Sequence, residues 1–184
     1  MKINIVAIII ILTLAVPGIA QNTFTATTES SIVVAGTSTL HDWEANAEKL
    51  TAKGTINTSA SDIEGVTSFT LSVPVESLES GKGGMNKNMY KALESDDHPN
   101  ITFKLNNVKS ISGNKIIVTG NLSIAGTTKP VELNANYSLS GGTVKLSGSK
   151  EIDMRTFNID PPTAMFGTIK TGELINIKYN LVLK

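Results

Sequence analysis

Apolar and polar residues alternate along most of this chain. In the segment 69–75, apolar residues occupy every second position, with Thr, Ser and Pro between them. The same period of two recurs in the segments 101–105, 116–124, 131–139 and 175–183. Successive side chains of a β-strand point to opposite faces of a sheet, so this alternation is typical of strands with one buried face. The pattern therefore predicts several half-buried strands.

Turn-forming residues separate these segments. They include Gly65, Gly113, Gly126, the pair Gly141 and Gly142, and Gly172. Three further runs, at 32–34, 43–56 and 144–154, bring the predicted number of strands to about eight. Short strands joined by glycine turns are typical of antiparallel sheets. One-faced strands in that number predict an all-β fold, either a sandwich or a closed barrel.

One segment follows a helical pattern instead. Between Gly84 and Ser95, Met85, Met89 and Leu93 recur at every fourth position, which places them on one face of an amphipathic helix. Such a helix fits two roles in a barrel. It is either a lid over the mouth, where its methionines adapt to a ligand, or a plug that packs on one end of the core.

The first twenty residues have the composition of a secretory signal peptide. Lys2 provides a positively charged start, an apolar run follows at 3–16, and Gly18 and Ala20 are small residues at the positions that signal peptidase requires. The alternative, a transmembrane anchor, needs a longer run of about 20 apolar residues. We therefore expect a bacterial Sec signal peptide that is cleaved after Ala20. The mature protein, 21–184, is then periplasmic or secreted and has no stable membrane span.

Composition narrows the classes of protein further. The sequence has no cysteine, which excludes disulfides and thiolate zinc sites. Sixteen basic residues balance sixteen acidic ones, and removal of Lys2 leaves 15 against 16. This balance, with lysines scattered along the chain, argues against nucleic acid as a partner. The mature length suits one domain with a substantial core.

Two histidines are the candidates for catalytic chemistry. Ser38 precedes His41, but strand geometry places the two on opposite faces, which does not favour a nucleophile and base pair. A metal-dependent hydrolase that uses His41, His98 and Asp97 is the main alternative to a binding function. We predict no metal and no catalytic residue, because no ligand spacing in the sequence supports such a site.

Four segments, in order, resemble a known family. They are Gly36–Trp43, His98–Phe103, Gly120–Val131 and Met154–Ile159. Together they resemble the YceI-like polyisoprenoid-binding proteins over nearly the whole mature chain. The resemblance implies a lipocalin-like antiparallel β-barrel with a hydrophobic tunnel and a helical segment at its mouth. It also implies a periplasmic or secreted carrier, without a known catalytic residue set, for a long lipid such as a polyprenyl phosphate, an isoprenoid quinone or a fatty acid.

Apolar and aromatic side chains are the expected contacts of that lipid. The predicted tunnel and lid residues are Trp43, Phe69, Leu71, Met85, Met89, Leu93, Phe103, Tyr137, Met154, Phe157 and Phe166. Arg155, the only arginine, is either an ion-pair partner at a strand end or, together with His41, a candidate for head-group contact. Small residues such as Gly120 and Ala135 at inward positions would leave volume for a ligand. A structural β-domain with a filled core, and a homodimer, also remain open.

Overall fold

The structure is a computed structural model that describes residues 20–59 and 62–184. The predicted signal peptide lies outside the described residues, apart from Ala20, with which the first strand begins. The described strands are β1 (Ala20–Thr25), β2 (Ser31–Ser38), β3 (Trp43–Ala47), β4 (Thr51–Thr58), β5 (Ile63–Pro74), β6 (Leu78–Glu79), β7 (Asn100–Ser112), β8 (Lys115–Ile124), β9 (Thr127–Ser140), β10 (Thr143–Asp153), β11 (Thr163–Ala164) and β12 (Ile169–Leu183). One helix, α1 (Gly83–Ala92), lies between β6 and β7, and short 3-10 turns lie at Val75–Ser77, Met154–Phe157 and Met165–Gly167.

All these strands pair antiparallel, and the sheet curls into a barrel. The order is β1-β4-β5-β7-β8-β9-β10-β12-β2-β3-β6, and β11 pairs with β12. Thr25 and Lys184 exchange backbone hydrogen bonds of 2.7 and 2.9 Å, and the Thr27 amide donates to the Val182 carbonyl at 2.8 Å. These contacts join the end of β1, and the chain directly after it, to the end of β12. They thereby close the ring of eight strands that runs from β1 to β12 in this order.

The predicted all-β antiparallel barrel with one helix is confirmed, but the number of strands is larger than about eight. The run predicted at 43–56 is two strands, β3 and β4, because the chain turns through Glu48, Lys49 and Leu50. β6 and β11 have two residues each and are too short to show a period. β2, β3 and β6 extend the sheet beyond the closed ring.

The inward faces of the strands form the core. One cluster of buried side chains includes Ile56, Val144 and Leu183. A second cluster includes Phe103 and Ile152. The alternation of β12 between inward apolar and outward polar residues continues across its neighbour β10, with which it pairs in register over ten positions.

The helix starts one residue before the predicted segment and ends at Ala92. Leu93 closes it, and Glu94 adopts a left-handed backbone conformation that turns the chain away. Within the described part of the chain, no helix has the length and hydropathy to cross a bilayer.

Candidate ligand-binding cavity

A cavity of about 370 Å³ lies inside the barrel beneath α1. Its wall is formed by inward side chains of β2, β3, β7, β8, β10 and β12, together with the segment 159–169. The wall is almost entirely apolar and includes Val34, Ile101, Ile124, Ile152, Ile175 and Ile177. An apolar cavity of this size offers room for a hydrocarbon chain rather than for a polar substrate.

The apolar stripe of α1 forms the roof of this cavity. Met85, Met89 and Leu93 line it, and Ala92 lies beside them. Residues four apart lie on one face of a helix, so the spacing of these side chains places all three over the barrel interior. Met89 and Leu93 also pack against the buried core, whereas Met85 lines the cavity and packs against neither buried cluster.

Polar contacts hold one flank of α1 on β6. Asn86 is only 7% exposed; its side-chain oxygen accepts from the Ser80 amide at 3.0 Å and the Ser80 hydroxyl at 2.6 Å. Its amide nitrogen donates to the Glu79 carboxylate, and this hydrogen bond is the main cause that lowers the pKa of Glu79. The Tyr90 hydroxyl donates to the Leu78 carbonyl at 2.8 Å. The roof is therefore anchored along one side.

Polar groups lie at the mouth of the cavity. The Lys82 ammonium lies 3.2 Å from His41 Nε2, and His41 Nδ1 lies 2.7 Å from the carbonyl oxygen of Asp42. The Ser38 hydroxyl donates to the His41 carbonyl at 2.7 Å and accepts from the amides of Leu40 and His41 at 3.2 Å. Ser38 thus bonds to the backbone around His41, and its hydroxyl is not paired with the imidazole as a nucleophile would be.

A second cavity, of about 90 Å³, lies deeper in the barrel. Its lining includes Phe69, Leu71, Phe103 and Tyr179, together with side chains of β4, β8, β9 and β10. The rings of Phe69 and Phe103 are tilted by 55° with centroids 6.5 Å apart. Phe103 also packs in the same cluster as Ile152, which lines the larger cavity.

The predicted site residues fall into four groups, which are the linings of the two cavities, the filled core and the surface. The larger cavity is lined by Trp43, Met85, Met89, Leu93, Met154 and His41, and the deeper one by Phe69, Leu71 and Phe103. Tyr137 and Phe157 are buried in the core and line neither cavity. Phe166 is fully exposed, and Arg155 forms an ion pair with Glu173 at 2.8 Å. The contribution of each residue to ligand binding stays a prediction.

Sequence reasoning missed Lys82 and the segment 159–169. Lys82 lies in a glycine-rich stretch without periodicity, and its one signal is its position directly before the helix. The segment 159–169 contributes Ile159, Pro162 and Ile169 to the wall, although its sequence shows no regular pattern.

The two histidines occupy separate surroundings. His98 lies 3.7 Å from Glu94 and packs against Gly126, whereas His41 contacts Lys82. Across residues 20–59 and 62–184, no three His, Asp or Glu side chains gather as they would around a metal ion. The geometry thus offers no support to a metal site built from His41, His98 and Asp97.

An antiparallel barrel with an apolar interior and a helix across one end defines a lipocalin-like barrel. Residues 20–183 match the family model of the YceI-like domain, and the chain belongs to that family. The family that the sequence resembles is therefore confirmed. A comparison with the curated proteins found no match.

Solved structures share this fold at low sequence identity. Burkholderia cenocepacia BcnA is 21% identical with a TM-score of 0.70, over 84% of this chain and 96% of its own. A polyisoprenoid-binding domain from Saccharophagus degradans is 12% identical with a TM-score of 0.66, over 90% and 99%. The Campylobacter jejuni YceI protein is 17% identical with a TM-score of 0.55, over 71% and 79%. Identities this low establish the fold alone.

Proposed function

We propose that this protein is a carrier that holds one long apolar chain of a lipid inside its barrel. The observation that carries the proposal is the apolar cavity of about 370 Å³, roofed by Met85, Met89 and Leu93. The polyisoprenoid-binding domain of Saccharophagus degradans, which has the same fold, supports the choice of ligand class. An isoprenoid chain, a quinone tail and a fatty acid all fit this description.

The energetics suit a reversible carrier. Burial of a sixteen-carbon chain at ~0.8 kcal/mol per methylene provides ~13 kcal/mol before costs. Association and ordering cost roughly 4 to 15 kcal/mol. The difference is at most ~9 kcal/mol, so we expect a dissociation constant of roughly micromolar order or weaker, which permits both uptake and release of the lipid.

We further propose that the carrier acts outside the cytoplasm. The pattern of Lys2, the apolar run 3–16 and the small residues Gly18 and Ala20 supports an exported protein. The functional unit is then the single domain 21–184, in the periplasm or the extracellular medium. Detection of the mature N-terminus in the exported fraction tests this point.

Native mass spectrometry of the protein purified from its own compartment is the direct test of lipid binding. We expect a co-purifying lipid. Trp43, the single tryptophan, lines the cavity, so its fluorescence should change when palmitate or an isoprenoid quinone is titrated in. A ligand at 100 times its dissociation constant should also add ~2.7 kcal/mol of stability. A protein without bound lipid, fluorescence change or thermal shift would be a filled structural domain instead.

A further inference from the structure

The charge at the cavity is of one sign. Among the described residues that line it, Lys82 is the one lysine or arginine, and no aspartate or glutamate is present. No carboxylate of the described chain lies within ion-pair distance of Lys82, and the side chain that its ammonium contacts is His41. Lys82 is therefore a positive charge, without a carboxylate partner, at the edge of the apolar cavity.

Hydrogen bonds orient this cation. The carbonyl of Asp42 only accepts, so the neutral His41 ring carries its proton on Nδ1 and presents Nε2 as an acceptor to Lys82. An ammonium group has three donors. His41 takes one of them, and two remain for a further acceptor at the cavity mouth.

The start of α1 adds partial positive charge beside Lys82. Gly84 lines the cavity, and the first turn has no acidic residue and no side-chain cap. Amide groups in a first helical turn lack intrahelical acceptors and carry partial positive charge. The head group of a lipid in the cavity would therefore meet the charge of Lys82 and the partial charge of this helix end. The nearby Glu79 carboxylate accepts from Gly81 and Asn86 and does not line the cavity.

We propose that the lipid is a single-chain amphiphile with an anionic oxygen head group, either a carboxylate or a phosphate monoester. Its chain occupies the cavity, and its head group accepts hydrogen bonds from Lys82, which His41 positions. This inference rests on the proposed function. It adds a head-group selectivity that an apolar cavity alone would not have.

Three ligands with the same sixteen-carbon chain test it, namely palmitate, hexadecyl phosphate and hexadecanol. Affinities are measured by Trp43 fluorescence below the micelle concentration. We expect wild type to bind one or both anions at least tenfold more tightly than hexadecanol, and the tighter anion identifies the head-group class. Acetate and inorganic phosphate should not bind, because the chain supplies most of the affinity.

Variants at Lys82 locate the effect. Lys82→Gln should remove the preference for anions and lower the affinity for hexadecanol far less than the affinity for the anions, whereas Lys82→Arg should retain much of the preference. Lys87→Gln is the matched control, because Lys87 is exposed on the same helix and does not line the cavity. His41→Gln should weaken the preference without abolishing it, because Lys82 keeps its charge.

The outcomes separate the two proposals. Equal affinity of wild type for all three ligands overturns the head-group inference and leaves lipid binding intact. A preference for anions that persists in Lys82→Gln also overturns it. Binding of none of the three ligands, with no lipid co-purified, overturns the carrier function and the head-group inference together.

Discussion

Four aromatic side chains of the barrel lie over glycines on a neighbouring strand. A β-carbon at Gly54 would lie 2.8 Å from the Phe69 ring, and Gly36, Gly120 and Gly148 are covered in the same way by Trp43, Phe103 and Tyr179. The rings rest against the wall because the glycines have no side chain. At these positions glycine serves close packing of rings rather than backbone freedom.

Gly120→Ala should therefore destabilise the barrel. The new β-carbon would lie 2.6 Å from the carbonyl oxygen of Lys104 and closer still to the Phe103 ring, so the backbone itself must shift. We expect a loss of about 1–3 kcal/mol in the free energy of unfolding, measured in urea. Gly83→Ala is the control, because Gly83 has no atom within 4 Å and begins α1. An equal loss in both variants would contradict this account of Gly120.

The buried Tyr137 forms a hydrogen bond with the exposed carboxylate of Asp62. Its hydroxyl donates to the Asp62 carboxylate at 2.6 Å, and this hydrogen bond, followed by burial and nearby negative charge, raises the pKa of Tyr137 from 10.0 to about 12. The unfolded chain loses the tyrosine proton near pH 10, before the folded protein does. Stability from this contact is thus fully present below pH 10 and is lost as the pH rises toward 12.

Tyr137→Phe isolates this contribution. At neutral pH the variant should lose about 1–3 kcal/mol, because the hydrogen bond has a charged acceptor. The difference in unfolding free energy between wild type and variant should shrink between pH 10 and 12, because only wild type has the Tyr137 hydroxyl that titrates there. Tyr90 and Tyr179 are present in both proteins, so their titration cancels in the difference. A difference that stays constant over this range would show that the Tyr137 pKa is not raised by folding.

At the scale of elements, the sequence predicts the strands whose residues alternate between apolar and polar, but it does not predict the segments without such a pattern. The segments 101–105 and 116–124 lie within β7 and β8, because a period of two directly reports the two faces of a strand. Phe166 was expected in the tunnel but lies in a turn where Met165 and Phe166 adopt left-handed conformations with φ of 50° and 55°. No local sequence signal marks that turn, since non-glycine residues rarely adopt this conformation.

The roof helix has features of both a lid and a plug. Asn86 and Tyr90 fix one flank to β6, while Met85 lines the cavity without packing against the buried core. Anchorage on one side is compatible with opening at the other. The two roles therefore separate along the helix, because Met85 faces the cavity alone, whereas Met89 lines the cavity and also packs against the core.

Met85→Ser should weaken palmitate binding by about 10- to 100-fold, which corresponds to the loss of one apolar contact of ~1.5–3 kcal/mol. The empty protein should lose no more than about 0.5 kcal/mol, as surface substitutions do. Met89→Ser should reduce both binding and stability. Lys87→Ser, on the outer face, controls for helix propensity. A collapse of stability in empty Met85→Ser would identify the helix as a plug.

At the scale of the whole molecule, the alternation of apolar and polar residues predicts neither how the barrel closes nor how much cavity volume it contains. Alternation identifies Tyr137, Phe69 and Leu71 equally as positions on one face of a strand, but the structure buries Tyr137 in filled core, whereas Phe69 and Leu71 line a cavity. An inward position looks the same in the sequence whether the space opposite is filled or empty. That difference depends on strands far apart in the chain, as does the contact of Thr25 with Lys184 that closes the barrel.

The two cavities follow each other along the barrel, and the larger one, beneath α1, is the outer cavity. Phe103 lies at their boundary. On β12, Ile177 lines the outer cavity and Tyr179 the deeper one; on β7, Ile101 and Phe103 are divided in the same way. A chain that fills the outer cavity therefore meets the Phe103 ring before it reaches the deeper one. Wild-type affinity should rise with chain length by about fourfold per methylene and then level off.

Phe103→Leu should shift that plateau to chains longer by a few carbons, because the smaller side chain joins the two spaces. Affinities for fatty acids from twelve to twenty-two carbons, measured by Trp43 fluorescence, provide the test. Phe157→Leu is the matched control, because Phe157 is 1% exposed in the same cluster but lines neither cavity. Both substitutions should cost stability through lost core packing, and only Phe103→Leu should change the length preference. If both variants level off at the wild-type length, the ligand chain does not pass Phe103 and ends in the outer cavity.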